Sequence, residues 1–109
     1  MPRLVDDGTT VTLDLHGERV DAALRTARRA LVAAARAGRR RLRIVHGTST
    51  TATTGTGART IKTELYRWLD GGSADGLYVS ADRAETVLTL HLDLTARVHP
   101  RRLAVRDVL

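Results

Sequence analysis

The clearest pattern along the chain is a strict alternation of hydrophobic and polar residues in two stretches. In residues 10–15, Val11, Leu13 and Leu15 share one face, and polar residues occupy the other positions. In residues 86–94, the alternating apolar residues are Leu88, Leu90, Leu92 and Leu94. Alternation places successive side chains on opposite faces of a sheet, so both stretches predict strands with one buried and one solvated face.

Two stretches with helical spacing lie between these strands. In residues 19–37, apolar positions recur every three or four residues, and Gly38 is suited to end a helix. A second helix is predicted over about residues 58–70 by the same spacing. Two short apolar runs, at 42–45 and 77–79, predict further strands, one after each helix. The Thr-rich residues between 48 and 57 have no periodicity and predict a loop.

The predicted order of elements is β-α-β-α-β-β. A strand–helix–strand unit joins parallel strands through a right-handed crossover. Two helices can cover only one side of a small sheet, so we expect an α/β two-layer sandwich. Its four-stranded mixed sheet would carry both helices on one face. The domain is predicted to span residues 11–94, between an N-terminal extension at 1–10 and a basic C-terminal tail at 95–109.

The composition adds a strong positive charge to this picture. The 109 residues carry a formal net charge of +6, and the hydrophobic fraction of 42% is normal for a globular domain. Only Lys62 among the 18 basic residues is not arginine, and Asp21 is the only acidic residue between Arg19 and Arg43. A local positive surface favours a polyanion, either nucleic acid or an anionic membrane surface. A GC-rich coding sequence would also enrich arginine, so charge alone leaves a merely basic surface open.

Several classes of protein are excluded or disfavoured. Cysteine is absent, which excludes disulfides, thiolate zinc sites and cysteine nucleophiles. No apolar run has the length of a membrane span, and residues 1–7 lack the apolar stretch of a signal peptide. We therefore expect a cytoplasmic protein with no membrane partner and no small-molecule cofactor. The initial Met and the short length favour a stand-alone domain, although a piece of a larger protein would look the same, and the oligomeric state is open.

Candidate catalytic side chains follow the first predicted strand. Asp14 and His16 lie two positions apart, so their side chains point to the same side, roughly 7 Å apart. Such a pair could orient a water molecule, exchange protons or hold a divalent ion such as Mg²⁺ or Mn²⁺. The structural alternative is that both side chains cap the following helix and hydrogen-bond the turn. A second His-Gly pair, His46-Gly47, ends the next strand, and ligands gather at such carboxyl ends of parallel strands.

A candidate phosphate site lies before the second helix. Gly55 and Gly57 precede this helix, where backbone N–H groups and the helix dipole favour an anion. Arg59 and Lys62 would add positive charge there, although a turn followed by a solvated helix face has the same sequence. No Walker A lysine and no dinucleotide fingerprint follow. Because the chain has no Phe, we expect contact mainly with phosphates rather than stacking on bases.

Two motifs resemble those of one known family. The segment Leu13-Asp14-Leu15-His16-Gly17, followed by a helix, is similar to the first motif of the Smr (small MutS-related) domain, Leu-Asp-x-His-Gly. Thr54-Gly55-Thr56-Gly57 is similar to the family's second motif, Thr/His-Gly-x-Gly. The resemblance covers about residues 11–94. This chain departs from the family pattern at His46-Gly47, which the Thr-rich run separates from Gly55. Either the loop carries an insertion or Thr54 replaces the motif histidine.

The resemblance implies binding of DNA or RNA and, in some members, metal-stimulated or metal-independent endonuclease cleavage. Asp14 and His16 would then position or activate the attacking water or RNA 2′-hydroxyl. The expected contacts with phosphate and nucleic-acid backbone are Gly17, His46, Gly47, Thr54, Gly55, Gly57, Arg59, Lys62, Arg39, Arg40, Arg41 and Arg43. The alternatives are a non-catalytic DNA- or RNA-binding module and a protein-interaction domain that uses residues 95–109.

Overall fold

The computed structural model describes residues 2–47, 60–72, 74, 76–92 and 103–109. These residues form a mixed sheet, two α-helices and a short 3-10 turn. The strands are β1 (Arg3–Asp6), β2 (Thr10–Asp14), β3 (Arg41–Val45), β4 (Tyr78–Arg83) and β5 (Val87–Leu92). The helices are α1 (Val20–Arg36) and α2 (Ile61–Asp70), and the 3-10 turn spans Val105–Asp107.

The sheet has five strands in the order β1-β2-β3-β5-β4, so the expectation of four strands was wrong. The additional strand, β1, lies within residues 1–10 and pairs antiparallel with β2. The element order of the described residues is therefore β-β-α-β-α-β-β. A strand of four residues with Leu4 and Val5 as its apolar positions is too short to show a periodic pattern. Pairing with β2 makes this segment a strand.

The remaining pairings confirm a mixed sheet. β2 and β3, which precede and follow α1 in the sequence, pair in parallel, as expected for a strand–helix–strand crossover. β5 is antiparallel both to β3 and to β4. β4 is longer than the apolar run at 77–79, because its pairing with β5 continues through polar residues to Arg83.

One hydrophobic core lies between the sheet and the helices. Alternate residues of β2, β3 and β5 are buried in the same cluster as the inner faces of α1 and α2. The sheet residues in this cluster include Val11, Leu13, Leu42, Ile44, Leu88 and Leu90. The helix residues include Ala27, Ala30, Leu31, Ala34, Leu65 and Trp68. The residues between the buried sheet positions form the open face of the sheet, which carries Arg41 and Arg43.

A buried ion pair links β1 to the turn after α1. Nε of Arg39 donates to both carboxylate oxygens of Asp6, at 2.9 and 3.1 Å, and both side chains are 0% exposed. Nη1 of Arg39 also donates to the carbonyl of Ala37 at 2.9 Å. The carboxylate of Asp6 accepts the backbone N–H of Leu103 at 2.7 Å, so the C-terminal segment meets the same pair. We therefore remove Arg39 from the candidate phosphate contacts, because its guanidinium faces the interior.

Candidate active site

The carboxyl ends of β2 and β3 lie side by side, and each is followed by a His-Gly pair. The backbone N–H of Leu15 donates to the carbonyl of Val45 at 2.8 Å, which extends the parallel pairing to the end of both strands. His16 and His46 are the next residues on the two strands. The two pairs thus leave the sheet at one edge, as the rule for parallel strands predicts.

The two His-Gly pairs are in contact through His16 and Gly47. Gly47 has a φ of +79°, a conformation that favours glycine. A Cβ built on Gly47 would lie 3.1 Å from Cδ2 of His16, so the imidazole lies directly against the glycine backbone. The side chain of His16 is otherwise exposed. Gly47 therefore supports one side of an imidazole that solvent and a ligand can reach.

Asp14 fixes the turn that carries His16. Its Oδ1 accepts the backbone N–H of His16 at 3.0 Å. This is the structural role that the sequence left open, and the half-buried carboxylate fulfils it. A carboxylate has several acceptor sites, so this hydrogen bond leaves others for a second partner.

His46 has a very different environment from His16. It is only 4% exposed, and its Nδ1 lies 2.8 Å from the carbonyl oxygen of Gly47. Because a carbonyl only accepts, we assign the proton to Nδ1 and an acceptor lone pair to Nε2. Nε2 is buried and has no hydrogen-bond partner within the described structure. Burial, and to a smaller extent the nearby Lys62, lower the pKa of His46 below its ordinary 6.5, although the Gly47 hydrogen bond opposes this.

Two cations, one from α2 and one from β4, lie near the aromatic ring that packs against His46. The ring of Tyr66 meets the imidazole of His46 edge to face, with centroids 6.1 Å apart. Nζ of Lys62 lies 5.9 Å from the Tyr66 ring centroid, and Cζ of Arg83 lies 4.6 Å from it. The hydroxyl of Tyr66 donates to the carbonyl of Ala84 at 3.3 Å, which holds the ring in place. Sequence reasoning missed Tyr66, although its position four residues after Lys62 places both on one face of α2.

The start of α2 is also well defined. Thr60 caps the helix, and its hydroxyl oxygen accepts the backbone N–H of Thr63 at 3.0 Å. Oγ1 of Thr63 accepts the backbone N–H of Thr60 in return, at 3.0 Å. This reciprocal capping fixes the first turn of the helix, where Lys62 lies.

The arginines that the sequence grouped together are separated in the structure. Arg40, Arg41 and Arg43 are exposed. Arg41 and Arg43 lie on the open face of the sheet, and Arg41 is at the amino end of β3, roughly 17 Å along the strand from His46. Arg43 lies between these two ends. The remaining expected contacts lie outside the described residues: Thr54, Gly55, Gly57 and Arg59.

The described residues contain neither a cluster of metal ligands nor a membrane-spanning helix. In the part of the chain that the structure describes, no three His, Cys, Asp or Glu side chains come together in a way that could hold a metal ion. Asp14 and His16 would be the protein ligands of a divalent ion at this edge, together with water and phosphate oxygens, and we assign no chemical step to a metal. Neither described helix is long and apolar enough to cross a bilayer.

Comparison with known families identifies most of this structure as one domain type. The family model for the Smr domain matches residues 13–87. The match extends from β2 to the start of β5, so it includes both helices and both His-Gly pairs. Comparison with curated proteins and with solved structures gave no match.

Proposed function

This chain belongs to the Smr domain family, and from that premise we propose that it binds DNA or RNA and nicks a phosphodiester bond. Smr domains are generally nucleic-acid-binding domains of the nicking-endonuclease type. The observation that carries the proposal is the contact of the exposed His16 imidazole with Gly47 at the edge where β2 and β3 end. This contact supports the proposal, because a glycine backbone beside the imidazole allows a phosphate to approach closely.

His16 is the proposed general base. Its imidazole accepts the proton of a water molecule or an RNA 2′-hydroxyl while that oxygen forms a bond to phosphorus. The bond to the leaving oxygen breaks, and that oxygen keeps the electron pair and takes up a proton from solvent. Asp14 is a positioning residue, because its carboxylate holds the backbone N–H of His16. Gly17, with a φ of +82° and open space around a built Cβ, would leave the turn after His16 open to the substrate.

Positive charge from α2 stabilises the phosphate in this proposal. Lys62 and the amino end of α2 would face the charge that develops on the phosphate oxygens. The buried Nε2 of His46 would accept a hydrogen bond from a hydroxyl or N–H group that enters the site. Thr54, Gly55, Gly57 and Arg59 would complete the phosphate contacts. Arg40, Arg41 and Arg43 would contact the neighbouring nucleic-acid backbone.

The competing function is a DNA- or RNA-binding module without catalysis. The hydrogen bond from the backbone N–H of His16 to the carboxylate of Asp14 favours this binding module, because it gives the Asp-x-His motif a purely structural use. In that case binding would depend on salt, and no product would form under any metal condition.

A cleavage assay separates the two functions. Supercoiled plasmid and end-labelled structured RNA are incubated with wild type and with His16→Ala in EDTA, Mg²⁺ and Mn²⁺. We expect the substitution to reduce cleavage by about 10²–10⁴-fold, the usual contribution of a general base, while affinity stays nearly unchanged. His91→Ala is the matched control, because this histidine lies on β5 away from the edge and contacts Asp82 at 2.7 Å. Equal cleavage by wild type and His16→Ala would exclude His16 as the base, and no cleavage by wild type would favour the binding module.

A further inference from the structure

The outward face of α1 carries a row of arginines that the proposed nicking site does not use. We call Arg25, Arg28, Arg29 and Arg36 the arginine stripe. All four are exposed, whereas Ala27, Ala30, Leu31 and Ala34 on the opposite side of the helix are buried in the core. The helical spacing places the four guanidinium groups on one side of α1, over roughly 17 Å of helix length.

No arginine of this stripe takes part in an ion pair within the described structure. The ion pairs there involve Arg39, Arg67, Arg83 and His91, but no member of the arginine stripe. After Asp21, helix α1 contains no acidic residue. Arg25 therefore faces Arg28 and Arg29 three and four residues away, at spacings where like charges repel. A face that served only to solvate the helix would gain stability from acidic residues at these positions.

The stripe also has a shape that suits an extended anion. Arg28, Arg29 and Arg36 line a shallow hollow of about 350 Å³, and its floor is formed by Val32 and Ala33. The floor has no side-chain hydrogen-bonding group and no aromatic ring, so it offers no means of reading or stacking bases. Guanidinium groups bind phosphate oxygens through paired hydrogen bonds. The chemistry of the hollow therefore fits the phosphates of a nucleic-acid backbone.

The stripe is separate from the open-face arginines. α1 packs its inner face on the sheet, so the stripe points away from the sheet on the helix side. Arg41 and Arg43 lie on the open face, on the other side of the sheet. A backbone segment that follows β3 cannot lie along α1 at the same place, because the sheet and its core separate the two surfaces.

We propose that the arginine stripe is a second nucleic-acid-binding surface, which engages the phosphate backbone of a duplex independently of the nicking edge. One strand of a duplex presents a phosphate every 3.4 Å or so along the axis, so the length of the stripe matches roughly five phosphates. Val32 and Ala33 between these cations offer no ring for stacking, and the nearby Trp68 is a buried core residue, so the row favours a duplex over a single strand. Binding at this surface is independent of the sequence of the duplex and does not require that the domain cleaves.

The test compares two variants that lose the same charge. One carries Arg28→Gln, Arg29→Gln and Arg36→Gln in the stripe, and Gln preserves helix propensity. The control carries Arg3→Gln, Arg67→Gln and Arg106→Gln, which are exposed arginines elsewhere on the molecule. Binding of a short DNA duplex is measured by fluorescence anisotropy over a series of salt concentrations, and thermal unfolding confirms that both variants are folded.

The salt dependence gives the decisive result. Each phosphate contact contributes about 0.9 to the slope of log K against log salt, so the stripe variant should lose roughly 2 to 3 from this slope. The control should lose less than about 1, because general charge alone does not provide fixed phosphate contacts. Equal losses in the two variants, or no loss in the stripe variant, would overturn the proposal. The same variants are also tested for binding to anionic phosphatidylserine vesicles. If the stripe substitutions weaken binding of vesicles but not of duplex, the proposal is overturned.

Discussion

Replacing Arg39 by methionine is expected to destabilise the domain by about 3–4 kcal/mol at pH 7. Methionine keeps much of the buried volume but removes the guanidinium that lies 2.9 and 3.1 Å from the two carboxylate oxygens of Asp6. Loss of one partner of a buried ion pair costs about 3–5 kcal/mol, because the other charge stays buried. Asp6 keeps its hydrogen bonds from the backbone N–H groups of Gly8 and Leu103, which places the expected cost at the lower end.

Protonation of Asp6 limits the part of this cost that comes from leaving its charge buried without a partner. A carboxyl with the ordinary Asp pKa of 3.8 takes up a proton at pH 7 for about 4 kcal/mol, and at pH 5 for only about 1.6 kcal/mol. In the wild type, burial alone would raise the pKa of Asp6, but the hydrogen bonds from Arg39, Leu103 and Gly8 and the charge of Arg39 together lower it below 3.8. Asp6 therefore stays ionised in the wild type at both pH values, and its stabilisation is lost only as the pH falls below 3.8. The penalty of Arg39→Met should consequently shrink by about 2 kcal/mol between pH 7 and pH 5.

Urea unfolding measures this penalty directly. The fluorescence of Trp68, the only tryptophan of the chain and a core residue, reports unfolding, and circular dichroism provides a second probe. Arg40→Met is the matched control, because Arg40 is the exposed neighbour of Arg39 and should change stability by no more than about 0.5 kcal/mol. A loss below about 1 kcal/mol for Arg39→Met at pH 7, or an equal loss at both pH values, would refute the ion-pair reasoning.

Two further predictions concern the two His-Gly pairs. The pKa of His46 is lowered in the folded protein, so the unfolded chain takes up its proton first as the pH falls. The stability that His46 contributes is therefore present above pH 6.5 and is lost as the pH falls through the folded pKa. NMR titration should place the midpoint of His46 below 6.5, and a midpoint above that value would contradict the assigned burial. Gly47→Ala should lose about 1–2 kcal/mol through its positive φ and also lose cleavage by displacing His16, which lies 3.1 Å from the new Cβ. Gly76 has a φ of +89° and nothing within 4 Å of a built Cβ, so Gly76→Ala should lose stability but not cleavage. Equal cleavage by the two variants would show that Gly47 does not position His16.

The sequence predicted the parts of the fold that repeat a pattern and missed those that depend on a single contact. The alternation of β2 and β5 and the spacing of both helices place the core correctly, because burial of one face enforces these periods. β1 has no such pattern, since its place in the sheet depends on pairing with β2. Arg39 looked like its exposed neighbours Arg40 and Arg41, and only its distance from Asp6, 33 residues earlier, reveals a buried ion pair.

The candidate site was likewise predicted only in part. The rule that parallel strands present ligand sites at their carboxyl ends was sufficient to expect His16 and His46 at one edge. It gave no sign that one imidazole would be exposed and the other buried, nor that Tyr66 would meet His46, because a repeated His-Gly pair carries no information about its neighbours in space. These differences follow from the strands that flank each pair.

The register of the sheet explains why two identical dipeptides have unequal environments. β3 is flanked at its end by the start of β5, and the backbone N–H groups of His46 and Gly47 both donate to the carbonyl of Thr86, at 3.0 and 3.2 Å. β2 is flanked on its outer side by β1, which begins at Arg3 opposite Asp14, so that strand offers no pairing partner beyond Asp14. His46 is therefore enclosed between neighbouring elements, while His16 extends past the last paired position into solvent. This asymmetry supports the proposal that His16, rather than the buried His46, accepts the proton.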